Sequence, residues 1–191
     1  MKDNIDMYLD EDIPPMKGKK GLQRILCLLI QRKTNPSYDS VYMVRFCNYY
    51  NKERGIKGAL RFIYKNSLVR KYGIFCNNDQ KKIGKGLVFP HPSSIVIGSG
   101  VEIGDNVTIY QNTTIGAKKR GIDKDNAYPI IGNNCVLYAG AVLIGSIRVA
   151  NDSSVGANAV LMNDTKQGGI YVGSPAKKVG GEDRKHEQKN V

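Results

Sequence analysis

Tryptophan is absent from this chain of 191 residues, and histidine occurs only twice, at His91 and His186. The four cysteines, Cys27, Cys47, Cys76 and Cys135, show no CxxC or Cys/His spacing. Neither a metal site nor a disulfide framework is therefore expected, and a reducing, cytoplasmic setting is the simpler reading. No long apolar run exists either. The longest, Ile25 to Ile30, is bounded by Arg24 on one side and by Gln31 and Arg32 on the other. A bilayer span needs about 20 apolar residues. The opening residues are acidic and polar, which is not the pattern of a secretory leader. Acidic residues are scarce between 17 and 75, where fourteen Lys and Arg face only Asp39 and Glu53. The formal charge of the whole chain is +12, so the basic excess is concentrated there. Such a segment suits an anionic partner: nucleic acid, lipid or substrate.

What the chain has is a beat of six. Ile97, Ile103, Ile109 and Ile115 keep it without a break, and it resumes at Ile131, Leu137, Leu143, Val149, Val155 and Leu161. Four places after these anchors stand compact or aliphatic residues: Val101, Val107, Thr113, Cys135, Ala141, Ile147, Ser153, Ala159 and Thr165. Gly follows the anchor at 98, 104, 116, 132 and 156. An α-helix repeats near 3.6 and an amphipathic strand at 2, so neither makes this pattern. A parallel β-helix does, with each six-residue face a short strand plus a turn and the anchors stacked inside. Counting the beat backwards from Ile97 lands on His91, which places an imidazole in an anchor slot.

Around this repeat the chain divides readily. Residues 1–16 read as a flexible acidic tail ending at Pro14-Pro15. Residues 17–75 read as a basic helical region. Leu22, Ile25, Leu26 and Leu29 share one helical face. A second helix is expected from Ser40 towards Tyr50, after the turn Asn35-Pro36-Ser37. A third is expected from Ile56 to Tyr72, with Ala59, Leu60, Ile63 and Leu68 inward. Residues 76–180 form the β-helix, interrupted by a protruding loop at 117–130, and 181–191 read as a disordered tail.

The stretch Ile83-Gly84-Lys85-Gly86-Leu87-Val88-Phe89-Pro90-His91, followed by Ile95-Val96-Ile97-Gly98, resembles the catalytic segment of the serine acetyltransferase group of hexapeptide-repeat acyltransferases. Thr114-Ile115-Gly116, Tyr138-Ala139-Gly140-Ala141 and Gly173-Ser174-Pro175-Ala176-Lys177 resemble further motifs of that group in the same order. The resemblance implies an all-β left-handed parallel β-helix with a short α-helical N-terminal region, a homotrimer, and active sites between neighbouring prisms. Left-handed crossovers are an exception among parallel connections. The implied reaction is transfer of acetyl from acetyl-CoA to a hydroxyl, without a covalent enzyme intermediate and without a metal. His91 is then the general base, a task that suits imidazole with its ordinary pKa of about 6.5.

Three positions depart from the serine-using pattern. The aspartate that orients the histidine corresponds to Cys76, with Asp79 nearby as a substitute partner. The aspartate before the histidine corresponds to Pro90, and the second histidine to Tyr128. An unpaired buried ammonium is costly, so these losses point to a neutral acceptor. Tyr128, Phe89 and Tyr110 are the candidate acceptor-binding aromatics. In this respect the chain resembles the bacterial capsular and exopolysaccharide O-acetyltransferases, which implies a sugar or glycan acceptor. Serine O-acetyl transfer for cysteine biosynthesis is the alternative, and a non-catalytic β-helix binding module is the alternative of another class. For the coenzyme A arm the candidates are Gly116, Ala139, Gly140, Ala141 and Ala157. For its phosphates they are Lys177, Lys178, Lys118, Lys119 and Arg120. The basic helices carry interleaved aromatics but no nucleic-acid motif, so nucleic acid is not an expected partner. They are expected to pack on the first coil with cations outward, and peripheral contact with an anionic inner membrane face is a second role for them.

Overall fold

The computed structural model describes residues 5–76, 82–118 and 127–181. Four helices lead the chain: α1 (Ile5–Asp12), α2 (Gly21–Thr34), α3 (Pro36–Tyr49) and α4 (Gly55–Ser67), the last continued by a π-helical turn, Leu68–Tyr72. From Phe75 onward very short strands stack into three sheets that form the walls of a prism. The first sheet joins Phe75–Cys76, Val96–Ile97, Thr114–Gly116, Val142–Ile144 and Val160–Leu161. The second joins Glu102–Ile103, Ile130–Ile131 and Arg148–Val149. The third joins Thr108–Ile109, Val136–Leu137, Ser154–Val155 and Ile170–Val172, closed by the antiparallel strand Lys177–Gly180. The architecture is the left-handed parallel β-helix that the resemblance implied.

Stacking follows from the six-residue beat. Ile97 lies over Ile115, Ile115 over Leu143 and Leu143 over Leu161. Ile103, Ile131 and Val149 form the second column, and Ile109, Leu137 and Val155 the third. All of these are buried, and each contributes about 1.5–3 kcal/mol relative to an exposed side chain. The corners turn through left-handed residues, φ near +55°, at Asn106, Asn134 and Asn158, which asparagine tolerates better than most. Asn106 donates to Asn134 (3.2 Å) and Asn134 to Asp152 (3.0 Å), a side-chain ladder up one edge.

The first coil corrects the backward count of the beat. Cys76 pairs with Ile97, Ile83 with Ile103, and Val88 with Thr108, which sets Phe89 on Ile109. Phe89, not His91, is the third anchor of that coil. The corner from Phe89 to Ile97 is two residues longer than the others, and His91 lies in the extra length. Phe89 is completely buried. Its ring fills the prism, so the expectation that it stacks on an acceptor fails.

The N-terminal region also differs from the sequence reading. Residues 5–16 are not a free tail. Asp12, at the end of α1, receives Arg45 of α3 through Nε (2.8 Å) and Nη2 (3.1 Å), and both side chains are buried. Arg45 also donates to the carbonyls of Ile83 and Gly84 (both 2.7 Å), and the Leu87 amide donates to Asp12 (3.0 Å). α3 begins at Pro36 rather than Ser40, because Asn35 caps it by accepting from the amides of Ser37 and Tyr38. Val41, Met43, Val44, Leu68 and Tyr72 join the core of the β-helix, so α3 and the π-turn close the open end of the first coil. Of the residues expected to face inward from the third helix, only Leu68 is buried; Ala59, Leu60 and Ile63 are exposed.

Candidate functional site

One edge of the prism, between the third and first sheets, gathers the polar and aromatic side chains. The residues that follow stacked anchors stack as well, so Tyr110 after Ile109 lies under Tyr138 after Leu137. The two rings are parallel, 12° apart in plane with centroids 5.5 Å apart. His91 adjoins them, 6.0 Å from Tyr110 and tilted by 49°. Prolines on both sides, Pro90 and Pro92, restrict the backbone of its corner, and the Ser93 amide donates to the His91 carbonyl at 2.8 Å. The His91 side chain is exposed. Among the described residues no side chain hydrogen-bonds the imidazole. Thr113, fully buried, ties the next corner by donating to the Tyr110 carbonyl at 2.8 Å. Beside it Gln111 carries a buried Oε1 without a hydrogen-bond partner among the described residues.

Further along the same edge come Ala139, Gly140 and Ala157, all small and all at least partly exposed. Gly140 adopts φ +71°, and a side chain there would meet the amide of Asn158. Ala141 does not belong to this surface. It is fully buried, its methyl fills the prism, and its N–H is bonded to the Tyr138 carbonyl at 3.0 Å. Lys177 and Lys178 are exposed on the last strand, with Lys177 paired to Val172 at the far end of the His91 edge.

Other expected residues lie elsewhere. Tyr128 covers Gly98 and Gly100, with its hydroxyl accepting from Ser99 at 3.1 Å. That places it on the edge between the first and second sheets, away from His91 of the same chain. Gly116 ends a first-sheet strand on that second edge, and Lys118 is exposed near Gly145. Asp79, Lys119 and Arg120 lie outside the described residues. No group of three metal-ligating side chains occurs among the described residues. Tyr138 was missed as a site residue. Its signal was present in the sequence, since it stands in register with Tyr110 at the start of a motif quoted only for its small residues.

Burial pushes the Cys135 thiol up to about 11, so this interior thiol stays protonated at neutral pH and is no nucleophile.

No family model matches the chain. A serine acetyltransferase of Helicobacter pylori is 45% identical over 98 residues, covering 51% of this chain and 56% of that protein. A serine acetyltransferase of Staphylococcus aureus is 39% identical over 94 residues, covering 49% and 43%. The match thus spans about half the length of these curated relatives. Among solved structures, Neisseria gonorrhoeae serine acetyltransferase superposes with a TM-score of 0.71 at 21% identity, covering 93% of this chain and 65% of that one. The soybean serine acetyltransferase apoenzyme gives 0.67 at 24%, covering 92% and 69%. These likenesses concern the fold of both regions. The named relatives are serine acetyltransferases, and the expected closeness to polysaccharide-modifying enzymes finds no support among them.

Proposed function

We propose that this chain is an acetyl-CoA-dependent O-acetyltransferase in which His91 is the general base. One observation carries the proposal: the chain's only described histidine stands exposed on a prism edge lined with small residues. His91 takes the proton of the acceptor hydroxyl as its oxygen attacks the thioester carbonyl. The tetrahedral intermediate collapses with cleavage of the carbon–sulfur bond, and the imidazolium returns its proton to the departing thiolate. Ala139, Gly140 and Ala157 leave a smooth track for the pantetheine arm, which ends at Lys177 and Lys178, suited to its phosphates. His91 and Lys177 are separated by five strand spacings, about 24 Å at about 4.8 Å each. A homotrimer completes the site, because the edge with Tyr128, Gly116 and Lys118 then faces the His91 edge of a neighbour. The protein works in the cytoplasm, where acetyl-CoA is available.

The relatives' names favour serine as the acceptor. A second reading, a sugar hydroxyl, is favoured by the Tyr110–Tyr138 stack beside His91. A flat aromatic pair suits a sugar face, and Pro90 offers no charge to an ammonium. The decisive measurement is release of free thiol from acetyl-CoA, with serine and with neutral sugars as acceptors. Rapid release with serine establishes the first reading and overturns the second. His91→Ala should lower kcat by about 10²–10⁴. Full activity in that variant removes the proposed base, and failure of the protein to bind acetyl-CoA at all leaves the β-helix as a binding module.

A further inference from the structure

Helices α2 and α4 wear their apolar stripes outward. On α2, Leu22 is 70% exposed, Ile25 57%, Leu26 51%, Leu29 57% and Ile30 57%; on α4, Ile56 is 82% exposed, Phe62 70% and Ile63 54%. A surface helix ordinarily turns such a stripe to the core. Here α2 turns only Cys27 and Leu28 inward, onto Leu9, Ile13 and Met16, and the rest of its inner side is polar. Arg24 binds Asp6 and Asp10 of α1, and Arg32 binds Asp39 of α3 at 2.9 Å. These inward ion pairs fix which face of α2 looks out. Large apolar side chains grouped this way mark an interaction surface, whereas scattered ones need no explanation.

Charge decides between the occupants. The stripes are flanked by exposed cations: Lys17, Lys19, Lys20 and Lys33 beside α2, and Lys52, Arg54 and Lys57 at the start of α4. Two copies of the chain meeting here would bring like charges together. Nucleic acid would use the cations and leave the leucines in water. An anionic bilayer satisfies both at once, with aliphatic side chains in the acyl boundary and lysines among the headgroups. No described helix is long and apolar enough to cross a membrane. With 14 residues, α2 is about 21 Å long and suits the plane of the interface. We infer that the outward faces of α2 and α4 dock this protein on an anionic lipid surface.

Sedimentation of the full chain with vesicles tests this. Binding is expected to vesicles of phosphatidylcholine containing about 30% phosphatidylglycerol and to be at least tenfold weaker to phosphatidylcholine alone, falling at high salt. A Leu26→Glu/Ile63→Glu variant, altered only at exposed positions and checked by its melting curve, should bind at least tenfold more weakly. His91→Ala should bind like the parent, which separates this surface from the catalytic reading. Absence of binding to the anionic vesicles, or undiminished binding by the double variant, overturns the inference. So does a double variant whose assembly shrinks in solution while vesicle binding is unchanged, since the face would then join two chains.

Discussion

The β-helix and the helices before it are held in opposite ways. In the prism, stability is spread over stacked aliphatics of nearly equal rank, each neighboured by the coil above and the coil below. In the helical region, α2 and α4 have no fully buried residue at all. What fastens that region is one small apolar cluster, Leu9, Ile13 and Met16 under Cys27, Leu28, Tyr38 and Tyr42, and a small number of point contacts: the Asp12–Arg45 pair, the cluster of Arg32, Lys71 and Tyr72 around Asp39, and α3 lying on the first coil. Distributed packing degrades gradually when one residue is lost, whereas a region tied at points is vulnerable at each tie.

The sharpest way to break this contrast is Arg45→Ala. Asp12 would remain buried with its carboxylate unpaired, and one-sided removal of a buried pair costs about 3–5 kcal/mol. The carbonyls of Ile83 and Gly84 would lose their donor as well. We expect chemical denaturation to show that loss, and limited proteolysis to open residues 5–16 while the β-helix stays protected. An Arg45→Met/Asp12→Asn variant should recover part of it, because no lone charge is left. A loss under about 1 kcal/mol in Arg45→Ala would mean that the helical region is not held at points.

Within the prism a smaller effect is expected from Asn134→Ala. This corner residue has φ +55°, where a Cβ-bearing residue without a polar side chain is disfavoured by about 1–2 kcal/mol. Asn134 also links Asn106 to Asp152. Asn134→Gly keeps the backbone comfortable and loses only the ladder, so Ala should be the more destabilised of the two by about 1 kcal/mol. Equal loss in both, measured by denaturant midpoint, would place the corner's stability in its side-chain bonds alone.

How far the sequence disclosed this structure depends on where each constraint sits. The three columns were legible from Ile97 to Leu161 because a period of six is local and repeats. The same rule misled at its boundary: counted past Ile97 it named His91 as an anchor, since nothing in Pro90-His91-Pro92 announces a corner two residues longer. Periodicity also revealed that Leu22, Ile25, Leu26 and Leu29 share a face. It could not reveal that the face looks outward, which is decided by Arg24 and Arg32 finding partners on other helices. α1 was hidden for a related reason. An acidic stretch becomes ordered here because Asp12 meets Arg45 and because Leu9, Ile13 and Met16 are buried against α2 and α3, and those meetings exist only in the fold. At the candidate site, His91 was read from a motif and the beat of six, and Tyr110 only as a candidate aromatic. Tyr138 needed the same beat applied once more, and Phe89 was misplaced by the miscounted corner.

The smallest effect separates the two ties of the helical region by pH. Burial would raise the Asp39 carboxyl, but bonds from Lys71, Arg32 and Tyr72 outweigh it and hold it below its ordinary value. Its contribution is therefore complete above the unfolded value of about 3.9 and is lost as pH falls through the lower folded value. Asp12 has the opposite sign. Burial pushes its carboxyl up, and Arg45 with the Leu87 and Gly86 amides only partly offsets this. Ionising it costs more in the folded chain, so stability declines as pH rises from about 3.9 to the folded value. Asp39→Asn should thus flatten the acid limb below about pH 4, and Asp12→Asn the slope just above it. If a single substitution flattened both limbs in denaturation curves taken across that range, the two ties would form one coupled network rather than separate points.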